Sequence, residues 1–248
     1  MKKAILIIGI LFSAVSLQAR MTAETIVKNA FDYWRGKASV STINMTIHRP
    51  DWDRTMTIKA WTRGESDSLF VITEPAKDRG NGTLKAGKGM WMFNPKINRI
   101  IKLPPSMMSQ SWQGSDFSNN DLAKSDSLIK DYVHTLEDTK IEQGKNIYFI
   151  KSMPKPEAPV IWGMIKLAIR EDNILLSETF FDEDLQSVKM MTAWDIQMAG
   201  DRLFPLKWKM QKSDTTNEYT LFVYEKIKFK KSLNKNIFSR THLKNPGL

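Results

Sequence analysis

The alternation Ile43-Asn44-Met45-Thr46-Ile47-His48 decides the fold class, and Met56-Thr57-Ile58-Lys59 repeats it beyond a turn at Pro50-Asp51. Apolar and polar side chains change places at every residue, so successive side chains point to opposite faces of an extended chain. A segment of this kind buries one face and wets the other, as strands of an antiparallel sheet do. Just upstream the period is different. Ile26, Val27, Ala30, Phe31 and Trp34 recur three and four residues apart, so Thr22 to Gly36 is predicted to be one amphipathic helix, with Thr22 as N-cap and Gly36 as its stop.

Downstream the two-residue period returns again and again. Strands are predicted near 69–73, 83–86, 90–94, 99–103, 133–140, 147–152, 163–170, 175–181, 187–197, 205–211 and 218–228. The turns between them are short, for example Arg63-Gly64-Glu65, Asn94-Pro95-Lys96, Gln143-Gly144-Lys145 and Ala199-Gly200-Asp201. Such spacing describes one meandering antiparallel sheet and not βαβ units. The fold class is therefore mainly β (α+β).

One segment breaks the pattern. Pro104 to Lys130 lacks strand alternation and carries Met107, Met108, Trp112, Phe117, Leu122, Leu128 and Ile129 among Ser, Gln, Asn and Asp. Ser118 and Asp121 stand three apart, as a cap and its reciprocal partner do, so a helix is predicted to start there. A linker between two domains would be less apolar; a helical insertion lying over the sheet fits better.

The amino terminus reads as a secretory leader. Lys2 and Lys3 precede an apolar run from Ala4 to Val15, and Leu17-Gln18-Ala19 ends in a small residue suited to cleavage. The run is shorter than the roughly 20 residues that cross a bilayer. Residues 1–19 are expected to be removed and 20–248 to form one domain of the bacterial periplasm. Arg20 and the absence of any Cys exclude lipidation on a cysteine and stabilisation by disulfides. A chain of 248 residues needs neither, since domains of this size bury about 70–75% of their unfolded surface.

Catalytic chemistry is missing from the sequence. It has no G-x-S-x-G, no H-E-x-x-H and no cysteine nucleophile. His48, His134 and His242 have no metal-ligand spacing and are expected on the surface. Gly82, Gly87 and Lys88 imitate a phosphate-binding loop, but Gly89 replaces the metal-binding hydroxyl and Met90-Trp91-Met92-Phe93 reads as a strand, not a helix. Asp116 and Asp121 are more economically turn and cap residues than an acid–base pair. Neither enzyme activity, cofactor nor metal is expected. The formal charge of +10, with a late cluster at Lys226, Lys228, Lys230, Lys231, Lys235 and Lys244, suits transient contact with an anionic membrane surface better than nucleic acid, which an exported protein rarely meets.

What the chain has in quantity is adaptable apolar surface, with 14 Met and 8 Trp. Period-two alternation places Met45, Ile47, Met56, Ile58, Ile165, Leu167, Leu206, Trp208 and Met210 together on the concave face of the sheet. Met107, Met108, Trp112 and Phe117 are the apolar contacts expected of the covering segment. The N-terminal helix and this segment are the coverings that the pattern offers, and two helical pieces over so many strands leave room for a cavity.

Four stretches carry a family resemblance: Thr73-Glu74-Pro75-Ala76-Lys77-Asp78-Arg79-Gly80, Met90-Trp91-Met92-Phe93-Asn94-Pro95-Lys96, Arg99-Ile100-Ile101-Lys102-Leu103-Pro104-Pro105-Ser106-Met107-Met108 and Gly114-Ser115-Asp116-Phe117-Ser118-Asn119-Asn120-Asp121-Leu122. In these the chain resembles the LolA/LolB-like superfamily, in its branch of outer-membrane lipoprotein-sorting proteins. The resemblance implies a single, strongly curved antiparallel sheet, an incomplete β-barrel, with helices as a lid over an apolar concave face. It implies a periplasmic carrier or chaperone, acting as a monomer, that binds acyl chains of lipoproteins or lipids and delivers them toward the outer membrane. Its partners would be an inner-membrane transporter and an outer-membrane acceptor. The alternative is a non-shuttling module that senses a hydrophobic ligand or protein beside an envelope transporter or signalling system. No cargo-contacting position is carried over from the better-known carriers.

Overall fold

The structure, a computed structural model, describes residues 21–124 and 126–247; the predicted leader lies outside them. Helix α1 (Ala23–Arg35) forms where the three-and-four spacing predicts it. Thr22 Oγ1 accepts from Thr25 N–H at 3.2 Å, and Gly36 ends the helix with φ of 65°, a conformation that glycine adopts without steric cost. The helix buries Ile26, Val27, Ala30 and Phe31.

Thirteen strands follow. The first six are β1 (Ala38–Arg49), β2 (Trp52–Arg63), β3 (Asp67–Glu74), β4 (Gly82–Ala86), β5 (Gly89–Asn94) and β6 (Arg99–Lys102). After the covering segment come β7 (Tyr132–Glu142), β8 (Lys145–Pro154), β9 (Met164–Arg170), β10 (Leu175–Phe181), β11 (Ser187–Ala199), β12 (Arg202–Lys212) and β13 (Tyr219–Lys230). They form one sheet in the order β6-β5-β4-β3-β2-β1-β13-β12-β11-β10-β9-β8-β7. Every pairing is antiparallel, and the sheet is curved but not closed. It is a meander interrupted once: the first strand pairs with the last at the centre, and β6 and β7 are left as the two edges.

The register explains how one face became apolar. Ile43 lies opposite Ile58 and Met45 opposite Met56, so alternate residues of β1 and β2 meet on the same side. Met45 also faces Phe222 of β13, which in turn faces Trp208 of β12. A bulge between Thr42 and Ile43 adjusts the β1–β13 pairing at the middle of the sheet.

Residues 104–130 connect the two edge strands and cross the concave side, where Trp112, Phe117 and Leu122 face the sheet. The predicted helical lid is built of short pieces. Pro105–Met107 and Trp112–Gly114 are 3-10 turns, followed by α2 (Asn119–Ala123) and α3 (Ser127–Lys130). The capping box is present: Asp121 N–H donates to Ser118 Oγ at 3.2 Å, and Ser118 N–H donates to Asp121 Oδ2 at 2.7 Å. The helix ends after five residues at Lys124, whose φ of −112° and ψ of 28° leave the helical range.

Three expectations need correction. The N-terminal helix and the central segment are not the only coverings. Near the carboxyl end a 3-10 turn (Lys235–Phe238) and α4 (Arg240–Lys244) press Phe238 and Leu243 against Trp61, Leu69, Val71 and Leu84 on the opposite, convex face. Gly82 lets Leu243 approach, since a Cβ there would sit 2.6 Å from Leu243 Cδ1. His134 is not on the surface: it is buried, its Nδ1 lies 2.8 Å from Ser152 Oγ, and burial lowers its pKa. Asp116 is more than a turn residue. Its carboxylate is buried and accepts from Arg49 Nη2 at 3.0 Å, Arg49 Nη1 at 3.2 Å and Thr220 Oγ1 at 2.7 Å.

Candidate apolar binding cavity

Between the concave face, α1 and the covering segment lies a cavity of about 220 Å³. An engineered cavity of roughly 150 Å³ in a protein core is large enough to admit benzene and stays dry when its walls are apolar. This one is lined chiefly by aliphatic and aromatic side chains. Helix α1 contributes Val27, Ala30, Phe31 and Trp34 because its apolar stripe faces the sheet. The sheet contributes inward-facing residues of β1 to β3, β7 and β9 to β13, such as Ile165, Leu167 and Ile169 of β9.

The residues expected from the sequence fall into three groups. Ile58, Trp112, Phe117, Ile165, Leu167, Trp208 and Met210 line the cavity. Met45, Ile47 and Met56 are fully buried and pack with Trp112, so they form solid core beneath one end of the cover. Met107, Met108 and Leu206 lie away from the cavity wall. Met108 packs on Met90, Leu103 and Ala123, while Leu206 joins Phe204 and Trp208 near Trp34. Apolar character and parity put a residue on the right face; they do not say where along that face the cover touches down.

The covering segment is pinned. Trp112 Nε1 donates to Thr83 Oγ1 at 2.9 Å, and its ring meets Phe70 edge-on at 5.5 Å. Phe117 stacks on Phe222 with centroids 4.7 Å apart. Asp116 ties the loop to β1 and β13 as above. Asp121 bonds the Lys189 ammonium of β11, which also lies 5.1 Å over the Trp162 ring. The segment thus has both buried ionic anchors and buried aromatic ones.

Four charged groups line the cavity, and three are already engaged. The Arg35 guanidinium donates to the carbonyls of Gly64 and Asp67 and to Ser68 Oγ, and burial lowers its pKa to about 10. Lys124 donates to the Pro159 carbonyl, and Asp121 takes Lys189 and the Ser118 N–H. The fourth is Glu178 of β10. Burial, reinforced by Asp121 and opposed by Lys189, pushes its carboxyl up to about 7. Glu178 keeps some accessible surface although protein surrounds it, because that surface opens on the cavity. Tyr224, also on the wall, is pushed up to about 12 by burial and keeps its proton. Sequence reasoning missed Glu178. The available signal was an acid sharing strand parity with Phe180, an inward position where an apolar residue belongs.

Solved structures of low sequence identity share this fold of an open, curved antiparallel sheet. A LolA superfamily protein from Nitrosomonas europaea superposes with a TM-score of 0.74 at 20% identity, covering 90% of this chain and 100% of that one. A DUF1329 family protein from Desulfovibrio piger gives 0.78 at 18% identity, covering 90% and 99%. A domain from Vibrio parahaemolyticus described as outer membrane lipoprotein-sorting gives 0.77 at 16%, covering 90% and 98%. At these identities the likeness is one of fold. By sequence, a family model described only as uncharacterized protein-like matches residues 64–245, and the chain belongs to that family. No curated protein matches it.

Proposed function

We propose that this protein binds acyl chains of lipids or lipoproteins in the cavity and carries them through the periplasm toward the outer membrane. The observation that carries this reading is the apolar, partly open cavity of about 220 Å³, roofed by a segment that joins the two open edges of the sheet. Each methylene moved from water into such a space contributes about 0.8 kcal/mol, so a chain of moderate length binds without any polar contact. The fold shared with lipoprotein-sorting and LolA-superfamily structures supports the reading. Residues 1–19 would direct export, and 20–248 would act as one domain and as a monomer. The exposed Lys226, Lys228, Lys230, Lys231, Lys235 and Lys244 suit brief docking on an anionic membrane. An inner-membrane transporter would supply cargo and an outer-membrane acceptor would take it. Among the described residues no helix is long and apolar enough to cross a membrane. The role is binding rather than catalysis.

The test is twofold. Organic extracts of the purified protein are expected to contain acyl lipids by mass spectrometry. The protein is also expected to speed transfer of a pyrene-labelled phospholipid between two vesicle populations. A lipid-free extract together with no uptake of the labelled lipid would sink the proposal. The second reading, a holder that does not shuttle, is favoured by the pinned cover: opening at Asp116 or Asp121 breaks a buried ion pair. Uptake without accelerated transfer would select it.

A further inference from the structure

Resting on the reading of the cavity as a site for an apolar chain, we propose that its ligand also carries a hydrogen-bond-donating polar group, a hydroxyl or an ammonium, that docks on the Glu178 carboxyl. A free carboxylate is disfavoured at the same place.

The argument starts from what the other polar groups do. Arg35, Asp121 and Lys124, the remaining charged residues on the wall, each have protein partners. Only burial and through-space charge act on Glu178, and among the described residues no hydrogen bond reaches its carboxyl. The neighbours of Glu178 across the sheet are Leu167 and Met191, both on the cavity wall. A carboxyl among such side chains, with no partner, is costly and adds nothing to the packing of an ordinary core. A container for plain hydrocarbon would be better served by leucine. The groups of opposite or like charge facing it are Lys189 of β11 and Asp121 of α2, with the Tyr132 hydroxyl of β7 also within its field. Lys189 is occupied by Asp121 and by the faces of Trp162 and Phe180, so it does not neutralise Glu178 directly.

Ligand chemistry follows from the inventory of donors and acceptors. Above about pH 7 the Glu178 carboxyl is mostly ionised and only accepts; below it the protonated group accepts through its carbonyl oxygen and also donates through its O–H. A hydroxyl or ammonium satisfies either form, and a bond to an ionised group is about twice as strong as a neutral one. Against the ionised form, which prevails at pH 8, a second carboxylate offers no donor and adds repulsion. The formal charge of +10 on the whole chain would favour anionic amphiphiles at the surface, so a preference for an amine or alcohol cannot be an artefact of net charge.

The experiment uses displacement of Nile red, a neutral probe, by hexadecylamine, hexadecanol and palmitate at pH 8, on the wild-type protein and on Glu178→Gln. Hexadecylamine and hexadecanol are expected to displace the dye at concentrations about tenfold or more below palmitate. In Glu178→Gln, with each competitor referred to that variant's own affinity for Nile red, the margin is expected to fall to within about threefold. Glu178→Met, an apolar chain of similar length, should behave like the Gln variant and serves if Gln perturbs folding. Equal or tighter palmitate binding by the wild type, or a margin that survives in both variants, would overturn the inference. Such a result with Nile red bound leaves the acyl-binding reading standing; failure of the wild type to bind Nile red and all three amphiphiles would remove that reading as well.

Discussion

Glu178 enters the folded state with a carboxyl that titrates near 7 against an ordinary value of 4.5. As pH rises, the unfolded chain gives up this proton first, so between about 4.5 and 7 the folded state binds more protons than the unfolded one. Stability from this group is fully present at the acid end and is lost as pH rises through 7. Glu178→Gln removes the titration, so its denaturant midpoint is expected to exceed that of the wild type at pH 8 and to approach it at pH 5. A constant difference across that interval would mean that the carboxyl is not held protonated in the fold. His134 works in the opposite direction: its lowered pKa stabilises the fold above its ordinary titration and is lost as pH falls. The two signals overlap below pH 6.5 with opposite sign, and the Gln variant separates them.

The covering segment behaves as two kinds of chain in one element. Trp112 is 3% exposed, hydrogen-bonded and packed edge-on, whereas Met108 is only partly buried beside Met90 and Leu103. Trp112→Ala is therefore expected to lower stability by roughly 3–5 kcal/mol, as for a large core residue. Met108→Ala should cost less, about 1 kcal/mol, because that side chain is only partly buried and makes no hydrogen bond. Guanidinium titration of both variants checks the contrast, and similar losses at both positions would mean that the segment is not anchored at one end. Asp116→Ala leaves the Arg49 guanidinium facing a buried gap, although Glu218 at 3.4 Å remains as a substitute. A loss of roughly 3 kcal/mol is expected, with faster release of a bound fluorescent fatty acid in stopped flow. Unchanged release would place the exit elsewhere, away from this loop.

At the scale of the whole molecule, an open sheet has two problems that a barrel lacks. Its edges offer unpaired backbone groups, and both of its faces must be accounted for. The edge strand β7 carries Glu137, Asp138, Lys140 and Glu142 and a bulge between Leu136 and Asp138, devices that discourage pairing with another chain. The convex face over β2 to β5 is roofed by the carboxyl-terminal turn, where Leu243 is fully buried. Leu243→Ala is expected to cost about 2–5 kcal/mol and to raise the tendency to aggregate, since Trp61, Leu69 and Val71 lie beneath it. Thermal melts with light scattering test this, and a silent variant would mean that the roof is dispensable.

The residue pattern by itself determined the local structure. Alternation marks strands, the spacing of Ile26, Ala30 and Trp34 marks α1, and Ser118 with Asp121 marks the start of α2, because each signal depends only on neighbours along the chain. It also put Ile58, Ile165, Leu167, Trp208 and Met210 on one face. Whether such a residue meets a cavity or solid core was decided by tertiary structure. Met45, Met56 and Ile58 have the same parity and pack in one cluster with Trp112, yet only Ile58 of the three reaches the cavity, a difference that depends on where a 27-residue connection crosses the sheet. The second roof escaped notice because Phe238 and Leu243 lie among lysines with no repeating period. The role of Glu178 depended on tertiary structure for a related reason. A charged residue in a strand normally faces water, and only the closing of α1 and residues 104–130 over the concave face leaves this carboxyl in a cavity without a partner.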